Sequence, residues 1–321
     1  MSSKSVVVTG AAGFIGSHLT DRCLSLGWRV YAIDAFTDYY EAALKRRNIE
    51  SAAEHPGCTL IEGDLLELDL APIFDDASIV FHLAAQPGVR TSWESFSLYT
   101  NLNLNATQRL LEAARNASVE RVVIASSSSI YGDAETFPTR EDTAPRPVSP
   151  YGITKVATEQ LAQVYYHSFG VPTVCMRYFT VYGPRQRPDM AFNRLIGCAL
   201  GGESFVVFGD GNQTRDFTYV ADAVSGTVSA GECGVPGCVY NIGGGSRRSM
   251  NSVFRTLESL LGTPVERDYR AWQMGDARDT AADIGRARRE LGFEPSFDFA
   301  AGLRAQLDWQ RSGVASPQPL A

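Results

Sequence analysis

Short apolar runs alternate with longer helical patterns through the first half of the chain. The apolar runs predict buried strands at 5–9, 29–34, 59–62, 79–83, 121–126 and 173–177. Between them, the spacing of apolar residues predicts helices at 14–26, 39–53, 99–117 and 150–169. Strands that alternate with helices form parallel sheets whose two faces are both covered. The first half is therefore predicted to be an α/β fold built on a doubly wound parallel sheet.

The pattern changes after about residue 178. A stretch rich in Gly, Pro and Arg covers 183–189, and a helix, short strands near 205–208 and 238–242 and two further helices follow it. We expect this part to form a smaller α/β domain that covers a substrate. Residues 312–321 (SGVASPQPLA) are expected to form a flexible tail.

The composition is that of an ordinary globular protein, with 321 residues, of which 44% are hydrophobic and 20% charged. The formal net charge of −7 disfavours a nucleic-acid partner but says nothing against a small anionic substrate. No signal peptide precedes the first strand and no apolar stretch approaches about 18 residues, so no membrane association is expected. The six Cys and four His form no metal-ligand pattern, and free thiols fit a cytoplasmic protein.

The first predicted strand runs into three glycines, Gly10, Gly13 and Gly16. Gly10 permits a tight turn, Gly13 lets the backbone approach a pyrophosphate, and Gly16 allows close packing of a helix whose N-terminus favours phosphate. Asp34 ends the second strand 18 residues after Gly16, where a carboxylate accepts ribose hydroxyls and repels a 2′-phosphate. These spacings predict a Rossmann-type site for NAD rather than NADP. Asp64, after the third strand, is a candidate to meet the adenine amino group.

Tyr151 and Lys155 lie four residues apart at the start of a helical pattern, so they share one face of the helix. A phenol with a pKa of about 10 is a poor base at neutral pH. An ammonium about 4 Å away contributes roughly 4 kcal/mol, or about 3 pKa units, toward ionising it. An oxidised nicotinamide ring would add further positive charge, and Tyr151 would then be able to take a proton from a substrate hydroxyl. Four serines at 126–129 stand at the carboxyl end of the fifth predicted strand, and residues at strand ends face the ligand crevice of such sheets.

These motifs together resemble the extended short-chain dehydrogenase/reductase family, in its nucleotide-sugar epimerase and dehydratase branch. The resemblance runs over nearly the whole chain. It includes YGITK at 151–155, FHLAA at 81–85, NLNAT at 103–107, RYFTVYGP at 177–184, FGDG at 208–211, RDFTYV at 215–220 and YNIG at 240–243. The resemblance implies that Ser127 joins Tyr151 and Lys155 as the catalytic set.

The same resemblance implies the NAD contacts, the domain division and the assembly. The cofactor-binding set is Gly10, Gly13, Phe14, Ile15, Gly16, Asp34, Asp64, Leu65, Leu83, Ala84, Ala85, Asn103, Tyr151 and Lys155. Residues 1–178 and about 216–240 are expected to form the NAD-binding domain, and about 179–215 with 241–311 the nucleotide-sugar-binding domain. A homodimer formed through 99–117 and 150–169 is expected.

Acidic residues near the sugar separate the branches of this family. Its sugar dehydratases carry Asp-Glu after the catalytic serine, whereas this chain has Ser128 and Ser129, which disfavours 4,6-dehydration. Its decarboxylases usually have an acid and an Arg near the sugar carboxylate, and its simple galactose epimerases tend to have Asn where Thr180 stands here. Segments 177–196 and 82–90 resemble bacterial UDP-glucuronate 4-epimerases in particular.

We therefore hypothesise that the protein interconverts UDP-glucuronate and UDP-galacturonate through a 4-keto sugar, with NAD regenerated in each turnover. Hydrogen bonds from Ser128, Ser129 and Thr180 to the carboxylate would protect the β-keto acid from losing carbon dioxide. UDP-glucose/galactose 4-epimerase and UDP-glucuronate decarboxylase are the alternative activities. An NAD-sensing protein without turnover is the alternative outside enzymes, although such proteins commonly lose the Tyr or the Lys that this chain keeps.

The nucleotide end of such a substrate needs cations, and arginine suits phosphate geometry. The candidates to bind the substrate are Arg90, Arg187, Arg194, Arg215 and Arg278, together with Asn193 and, for the uridine ribose, Asp276. Arg215 resembles the pyrophosphate-binding arginine of the family. His82 and His18 are expected to be structural.

Overall fold

The structure is a computed structural model that describes residues 4–271 and 277–314. Its strands in these residues are β1 (Ser5–Thr9), β2 (Arg29–Asp34), β3 (Cys58–Glu62), β4 (Ile79–His82), β5 (Arg121–Ser127), β6 (Thr173–Tyr178), β7 (Val181–Tyr182), β8 (Phe205–Phe208), β9 (Thr214–Asp216), β10 (Thr218–Tyr219), β11 (Val239–Ile242), β12 (Arg247–Ser249) and β13 (Arg267–Arg270). The helices are α1 (Phe14–Ser25), α2 (Ala42–Ala53), α3 (Ala71–Phe74), α4 (Phe96–Tyr99), α5 (Ala106–Asn116), α6 (Pro150–Phe169), α7 (Ala191–Gly201), α8 (Val220–Cys233), α9 (Met250–Leu261), α10 (Gly285–Leu291) and α11 (Phe299–Trp309).

Seven strands form one sheet in the order β11-β6-β5-β4-β1-β2-β3, and each neighbouring pair is parallel. The predicted α/β fold with a doubly wound parallel sheet is therefore confirmed. The chain order reverses between β1 and β4, and this switch point opens a crevice at the carboxyl edge of the sheet.

Helices cover both faces of this sheet, which explains why its strands are apolar on both sides. On β1, Val6 and Val8 are buried against one face of the sheet and Val7 against the other. The first face packs against α1, α2 and α8, and the second against α3, α5 and α6. No helix within the described ranges is long and apolar enough to cross a bilayer.

The predicted helix at 99–117 is interrupted near its start. It consists of α4, a wide π turn at Thr100–Asn105, and α5. In this turn the carbonyl of Asn103 accepts hydrogen bonds from the hydroxyls of Thr107 (2.6 Å) and Thr158 (3.2 Å). The bond from Thr158 fastens the turn to α6.

A second core lies beyond the carboxyl edge of the sheet. It combines side chains of α7, α9 and α11 around the aromatic rings of Tyr182, Phe192, Phe217 and Phe299. Short two-stranded pairs, β7 with β10, β8 with β13 and β9 with β12, surround this core. The arrangement separates a small second layer from the large sheet and leaves the crevice between them.

The structure differs from the predicted division at 240/241, because that boundary falls inside β11. β11 pairs with β6 along its whole length, so it belongs to the large sheet. Ile284, Ala287 and Phe293 also return to the first core, where α10 packs on α8 and β11. The chain thus crosses between the two cores again after residue 282. Of the predicted tail, only 312–314 lie within the described residues.

We predict that Gly16→Ala lowers the free energy of unfolding by about 3 kcal/mol or more. A Cβ at Gly16 would lie 2.0 Å from the carbonyl oxygen of Gly10, so α1 would have to move away from the turn. Gly201→Ala is the matched control, because a Cβ there meets only the side chain of Glu203 at 3.9 Å. Chemical denaturation of both variants measures the difference, and equal stability of the two would contradict the close approach of α1 to the turn.

Candidate active site

A cleft of about 780 Å³ lies along the carboxyl edge of the large sheet, between the two cores. The sequence-predicted residues that line it are Gly10, Gly13, Phe14, Ile15, Gly16, Asp34, Asp64, Leu65, Leu83, Ala84, Ala85, Arg90, Ser127, Ser128, Ser129, Tyr151, Lys155, Thr180, Arg187, Arg194 and Arg215. Asn103 and Asn193 are not among the lining residues, and Asp276 lies outside the described part of the chain.

The glycine turn leaves one wall of the cleft free of side chains. Gly10 has a φ of +68°, and a Cβ there would lie 2.8 Å from the backbone nitrogen of Ala84. Gly13 is the N-cap of α1 and provides no side-chain cap, so the first N–H groups of the helix have no side-chain acceptor. Such a bare helix start next to a cleft fits a pyrophosphate. The residues present therefore fit the dinucleotide that the sequence predicts.

Asp34 lies at the end of β2 and is 8% exposed. Its two carboxylate oxygens accept hydrogen bonds from the backbone N–H groups of Ala12 (2.9 Å) and Phe36 (2.8 Å). Each oxygen keeps a second lone pair for a ribose hydroxyl. Asp64 has a double role, because it lines the cleft and also accepts from the N–H of Leu66 (2.9 Å) in its own turn.

Lys45 is a cleft residue that the sequence analysis missed. Its ammonium is buried and donates to the carbonyl (2.7 Å) and hydroxyl (3.0 Å) of Thr37, which leaves one proton for a ligand. Burial lowers the pKa of Lys45, while the charge of Asp34 raises it. The sequence signal was weak, because a lysine in an exposed helical pattern is ordinarily solvated.

His82 links Thr9 on β1 to Thr107 on α5 through its two ring nitrogens. Its Nδ1 lies 2.8 Å from the hydroxyl of Thr9, and its Nε2 lies 2.9 Å from the hydroxyl of Thr107. The Thr9 hydroxyl also accepts from the N–H of Ala84 (3.2 Å), and Thr107 donates to the carbonyl of Asn103. Each hydroxyl has one proton, so this chain of bonds assigns the Nε2–H tautomer to His82. Burial lowers the pKa of His82 to about 3, which keeps the imidazole neutral.

Ser127 and Tyr151 meet at the centre of the cleft. Ser127 ends β5, and its hydroxyl accepts from the N–H of Ser129 (3.1 Å) and lies 3.0 Å from the Ser129 hydroxyl. Burial raises the pKa of Tyr151, whereas a hydrogen bond with Ser127 and the charge of Arg187 lower it. The phenol therefore remains protonated in the protein alone.

The ammonium of Lys155 is buried beside the ring of Tyr151. Its ammonium lies 5.9 Å from the centroid of the Tyr151 ring and donates to the carbonyl of Ala125 (2.8 Å). Burial lowers the pKa of Lys155 to about 8. The net shift of the Tyr151 pKa is upward in the protein alone, so the lowering expected from Lys155 together with an oxidised nicotinamide ring stays a prediction. Ionising Tyr151 needs further positive charge at the site.

Two neighbouring strand ends bring the sugar-facing hydroxyls together. β5 and β6 pair in register, with Ser127 opposite Tyr178. Ser128 and Ser129 follow β5 in a short turn, and Thr180 follows β6, with its carbonyl fixed by the N–H of Thr218 (3.0 Å). All three hydroxyl residues line the cleft. The arrangement supplies neutral hydrogen-bonding groups where a substrate would lie.

The predicted arginines have different surroundings. Arg187 forms two hydrogen bonds of 3.0 Å with the carboxylate of Asp189, which raises its pKa against the effect of burial. Arg194 has its pKa lowered by burial and by the charge of Arg90, so two cations converge on one side of the cleft. Arg215 donates to the carbonyls of Thr214 (3.0 Å) and Arg278 (2.7 Å). Arg278 itself is outside the cleft lining.

Asn103 and Asn193 are buried and their amides bond to loop backbone, so the structure gives no support to a direct ligand contact by either residue. The amide of Asn103 accepts from the N–H of Gln86 (2.6 Å) and donates to its carbonyl (3.1 Å). The amide of Asn193 donates to the carbonyl of Gln186 (2.7 Å) and lies next to Gln310. A single asparagine in a motif does not reveal which backbone it faces, so the sequence alone did not separate these roles.

Gln213 is a second residue that the sequence analysis missed. Its amide nitrogen donates to the carbonyl of Phe208 (2.9 Å), while its buried Oε1 has no hydrogen-bond partner within the described residues. Gln213 lines the cleft near Phe208, whose ring lies 4.7 Å from the guanidinium carbon of Arg90. An unpaired buried acceptor next to an aromatic ring fits a ligand N–H.

The amino-acid sequence matches the family model for the NAD dependent epimerase/dehydratase family over residues 6–243. UDP-glucuronate 4-epimerase from Thermodesulfobacterium geofontis is 36% identical over 314 residues, 96% of each chain. The uncharacterized UDP-glucose epimerase YtcB from Bacillus subtilis is 42% identical over 310 residues, 96% of this chain and 98% of that protein. The crystal structure of UDP-glucuronic acid 4-epimerase from Bacillus cereus with UDP-glucuronic acid and NAD has a TM-score of 0.93 and 42% identity. The match covers 96% of this chain and 99% of that one.

The neutral state of His82 predicts a loss of stability in acid. The stability that depends on neutral His82 is fully present above pH 6.5, the ordinary value, and is lost as the pH falls toward about 3. At about pH 5 it contributes a slope of about 1.4 kcal/mol per pH unit to the free energy of unfolding. We predict that His82→Gln removes this part of the slope in pH-dependent denaturation. His167→Gln, at an exposed position, is the control, and an unchanged slope in His82→Gln would contradict a buried neutral imidazole.

Proposed function

The chain belongs to the NAD dependent epimerase/dehydratase family, and we propose that it interconverts UDP-glucuronate and UDP-galacturonate at carbon 4, with NAD as its resident cofactor. The observation that carries the proposal is the set of neutral hydroxyl residues, Ser128, Ser129 and Thr180, beside the Ser127 and Tyr151 pair. The B. cereus epimerase that binds UDP-glucuronic acid and NAD supports it at 42% identity.

The two ends of the cleft suit the two ligands. The Gly10–Gly16 turn, Asp34 and Lys45 would hold the dinucleotide, with Asp34 and Lys45 at the adenosine ribose. When bound in its oxidised form, NAD would supply positive charge near Tyr151 and a site that takes up the hydrogen of carbon 4 and returns it. The nucleotide of the substrate would lie at the other end, near Arg194 and Gln213.

Tyr151 performs the proton transfers in this proposal. Its phenol, which burial keeps protonated in the protein alone, ionises when positive charge is added and takes the proton of the 4-hydroxyl. Ser127 hydrogen-bonds the same oxygen and stabilises the charge that develops on it. The ammonium of Lys155 is held by Ala125 and stabilises the phenolate from behind. After the 4-keto sugar has rotated in the cleft, Tyr151 returns the proton to the oxygen on carbon 4.

The hydroxyls of Ser128, Ser129 and Thr180 control the fate of the keto acid. In a β-keto acid, one carbon separates the carboxylate from the ketone. The acid loses carbon dioxide when the bond between that carbon and the carboxylate aligns with the π system of the ketone. Hydrogen bonds from these three residues hold the carboxylate in the ring plane, where that overlap is poor. Neutral donors bind the anion without protonating a leaving hydroxyl, which separates this site from a dehydratase.

The uridine end is recognised by donors and acceptors of complementary kind. The free Oε1 of Gln213 accepts the imide N–H of uracil beside the ring of Phe208. The positive charges of Arg194 and Arg90 repel each other, and a diphosphate bound between them would neutralise this repulsion. The main-chain bonds of Arg215 fix its position at the same end.

Product identification after incubation with UDP-glucuronate tests the proposed activity. We expect UDP-galacturonate in equilibrium with substrate and no requirement for added NAD. UDP-xylose as the main product would indicate a decarboxylase. Turnover of UDP-glucose alone would indicate a neutral-sugar epimerase, and absence of turnover with every UDP-sugar would indicate an NAD sensor.

Tyr151→Phe should lower the rate at least about 10²-fold, because it removes the proton-transfer group.

We predict that Thr180→Val and Ser128→Ala raise the share of UDP-pentose among the products about tenfold or more. Each variant removes a hydrogen bond to a charged carboxylate, worth roughly 1.5–3 kcal/mol. Chromatography coupled to mass spectrometry measures the ratio of pentose to hexuronate. Thr263→Val, at an exposed position after α9, is the control. Unchanged epimerisation without pentose in both variants would contradict the role of these hydroxyls.

The proposal includes a homodimer that buries the outer face of α6. Ile153 and Val164 are 51% and 54% exposed, and their separation of eleven residues places them on one face of the helix. Trp93 and Phe96, which precede and begin the neighbouring α4, are also exposed. Exposed apolar side chains on adjacent helices are typical of an interface between copies.

We also propose a cytoplasmic location, since all six cysteines are free thiols.

We predict that Ile153→Glu with Val164→Glu halves the mass in solution from about twice 34.9 kDa to that of one chain. The new charges would have to be buried in the dimer, which is unfavourable without partners. Sedimentation velocity measures the mass. Leu200→Glu, an exposed leucine at the end of α7, is the matched control and should leave the dimer intact. A wild-type protein that sediments as one chain would contradict the assembly.

A further inference from the structure

A buried ion pair lies directly behind the catalytic residues. Glu159 follows Lys155 by one turn of α6, and Arg177 lies near the end of β6. The two residues are 3% and 5% exposed. The guanidinium donates through Nε to Oε1 of Glu159 (2.9 Å) and through Nη2 to Oε2 (2.7 Å). This bidentate geometry fixes both side chains relative to each other.

The same carboxylate reaches the strand that carries the catalytic serine. The hydroxyl of Ser126, next to Ser127, donates to Oε1 of Glu159. Glu159 thus accepts from β5 and from β6 while it stands on α6. The three elements joined at this carboxylate carry Ser127, Tyr151 and Lys155, and the residues that lead to Thr180.

Arg177 extends the network to the far side of the site. Its Nη1 donates to the hydroxyl of Tyr131 (2.7 Å) and to the carbonyl of Glu141 (2.9 Å). The Tyr131 hydroxyl in turn donates to the amide oxygen of Asn241 on β11 (2.7 Å). Every polar atom of the pair is therefore engaged, and the segment after the serines is fixed to the sheet edge.

Removing two charges from water is costly, and apolar side chains of similar volume often fill such a place with equal stability. Stability alone therefore does not explain why this place holds an ion pair. What an apolar replacement cannot supply is a set of directed bonds to three catalytic elements and a negative charge one turn from Lys155.

We propose that Glu159 is a positioning residue for the proposed reaction: its carboxylate fixes the spacing of Ser127 against Tyr151 and Lys155 and keeps the ammonium of Lys155 charged. The inference rests on the proposed function, because the reaction it serves is the oxidation and reduction at carbon 4. Glu159 acts through its neighbours and is not among the residues that line the cleft.

The surroundings of Lys155 support the electrostatic part. The titratable and charged groups around it are Tyr151 and Glu159 on α6, Cys175 and Arg177 on β6, and His82 on β4. Burial lowers the pKa of Lys155, and Cys175 and Glu159 oppose the shift. Burial also raises the pKa of the Cys175 thiol and lowers that of His82, so both are neutral near pH 8. The carboxylate of Glu159 is then the negative charge that acts on Lys155.

Glu159→Gln tests the charge. Glutamine keeps the length of the side chain and an oxygen for Ser126, but it removes the charge and leaves Arg177 unbalanced. We expect the alkaline limb of the kcat profile with UDP-glucuronate to move down by about one pH unit, since an opposite charge at close range shifts a pKa by about 1–3 units. Glu112→Gln, a carboxylate on α5 that accepts from the hydroxyl of Tyr165, is the control.

Glu159→Asp separates spacing from charge. Aspartate keeps the charge but is shorter, so it should lower kcat at least about tenfold without moving the alkaline limb, and with KM for UDP-glucuronate nearly unchanged. Thermal unfolding and circular dichroism establish that each variant folds. If Glu159→Gln does not fold, Arg177→Gln tests the charge instead: it removes the positive charge that faces Glu159, so the alkaline limb should move up, and an unmoved limb in the folded variant overturns the inference.

The outcomes are distinct. A folded Glu159→Gln with an unmoved alkaline limb, or a folded Glu159→Asp with wild-type kcat, overturns the inference. A simple loss of stability would lower the yield of active enzyme and leave the pH profile of the remainder unchanged. Failure of the wild-type protein to convert UDP-glucuronate is measured first, and it overturns the proposed function itself rather than the role of Glu159.

Discussion

The in-register parallel pairing of β5 with β6 determines where the reactive groups lie. Ser127 stands opposite Tyr178, so Ser128 and Ser129 after one strand and Thr180 after the other reach the cleft at the same height. A slip of one residue would turn every side chain of one strand to the other face of the sheet. Both faces of these strands are packed with apolar side chains, which makes such a slip costly. The packing of the sheet thus fixes the geometry of the site.

At this edge, burial sets the protonation states of the titratable side chains in the protein without ligand. The phenol of Tyr151 is protonated, His82 is neutral, and the ammonium of Lys155 is held by Ala125 at 2.8 Å. In the proposed mechanism, the positive charge that ionises Tyr151 comes with the oxidised dinucleotide. Such a dependence couples the start of the chemistry to an occupied cofactor site, because the base is active only when the hydride acceptor is present.

The sequence predicted the elements that follow from local patterns and the motifs that follow from spacing. The glycine turn, Asp34, the serine run and the Tyr151–Lys155 pair all line one cleft, and the parallel sheet is present. What the sequence could not provide depends on long-range contacts. Four features depend on residues far apart in the chain. They are the position of Lys155 relative to Tyr151, the burial of Asn103 and Asn193 behind loops, the unpaired acceptor of Gln213, and the return of 284–293 to the first core.

The central claim is that one hydrogen leaves carbon 4 and returns to the opposite face of the same sugar while Tyr151 exchanges the proton of the neighbouring oxygen. The most direct measurement follows UDP-glucuronate that carries deuterium at carbon 4. The account predicts that the UDP-galacturonate formed retains all of the deuterium at carbon 4, in ordinary water, with none released to solvent. Loss of deuterium from carbon 4 to the solvent would contradict it.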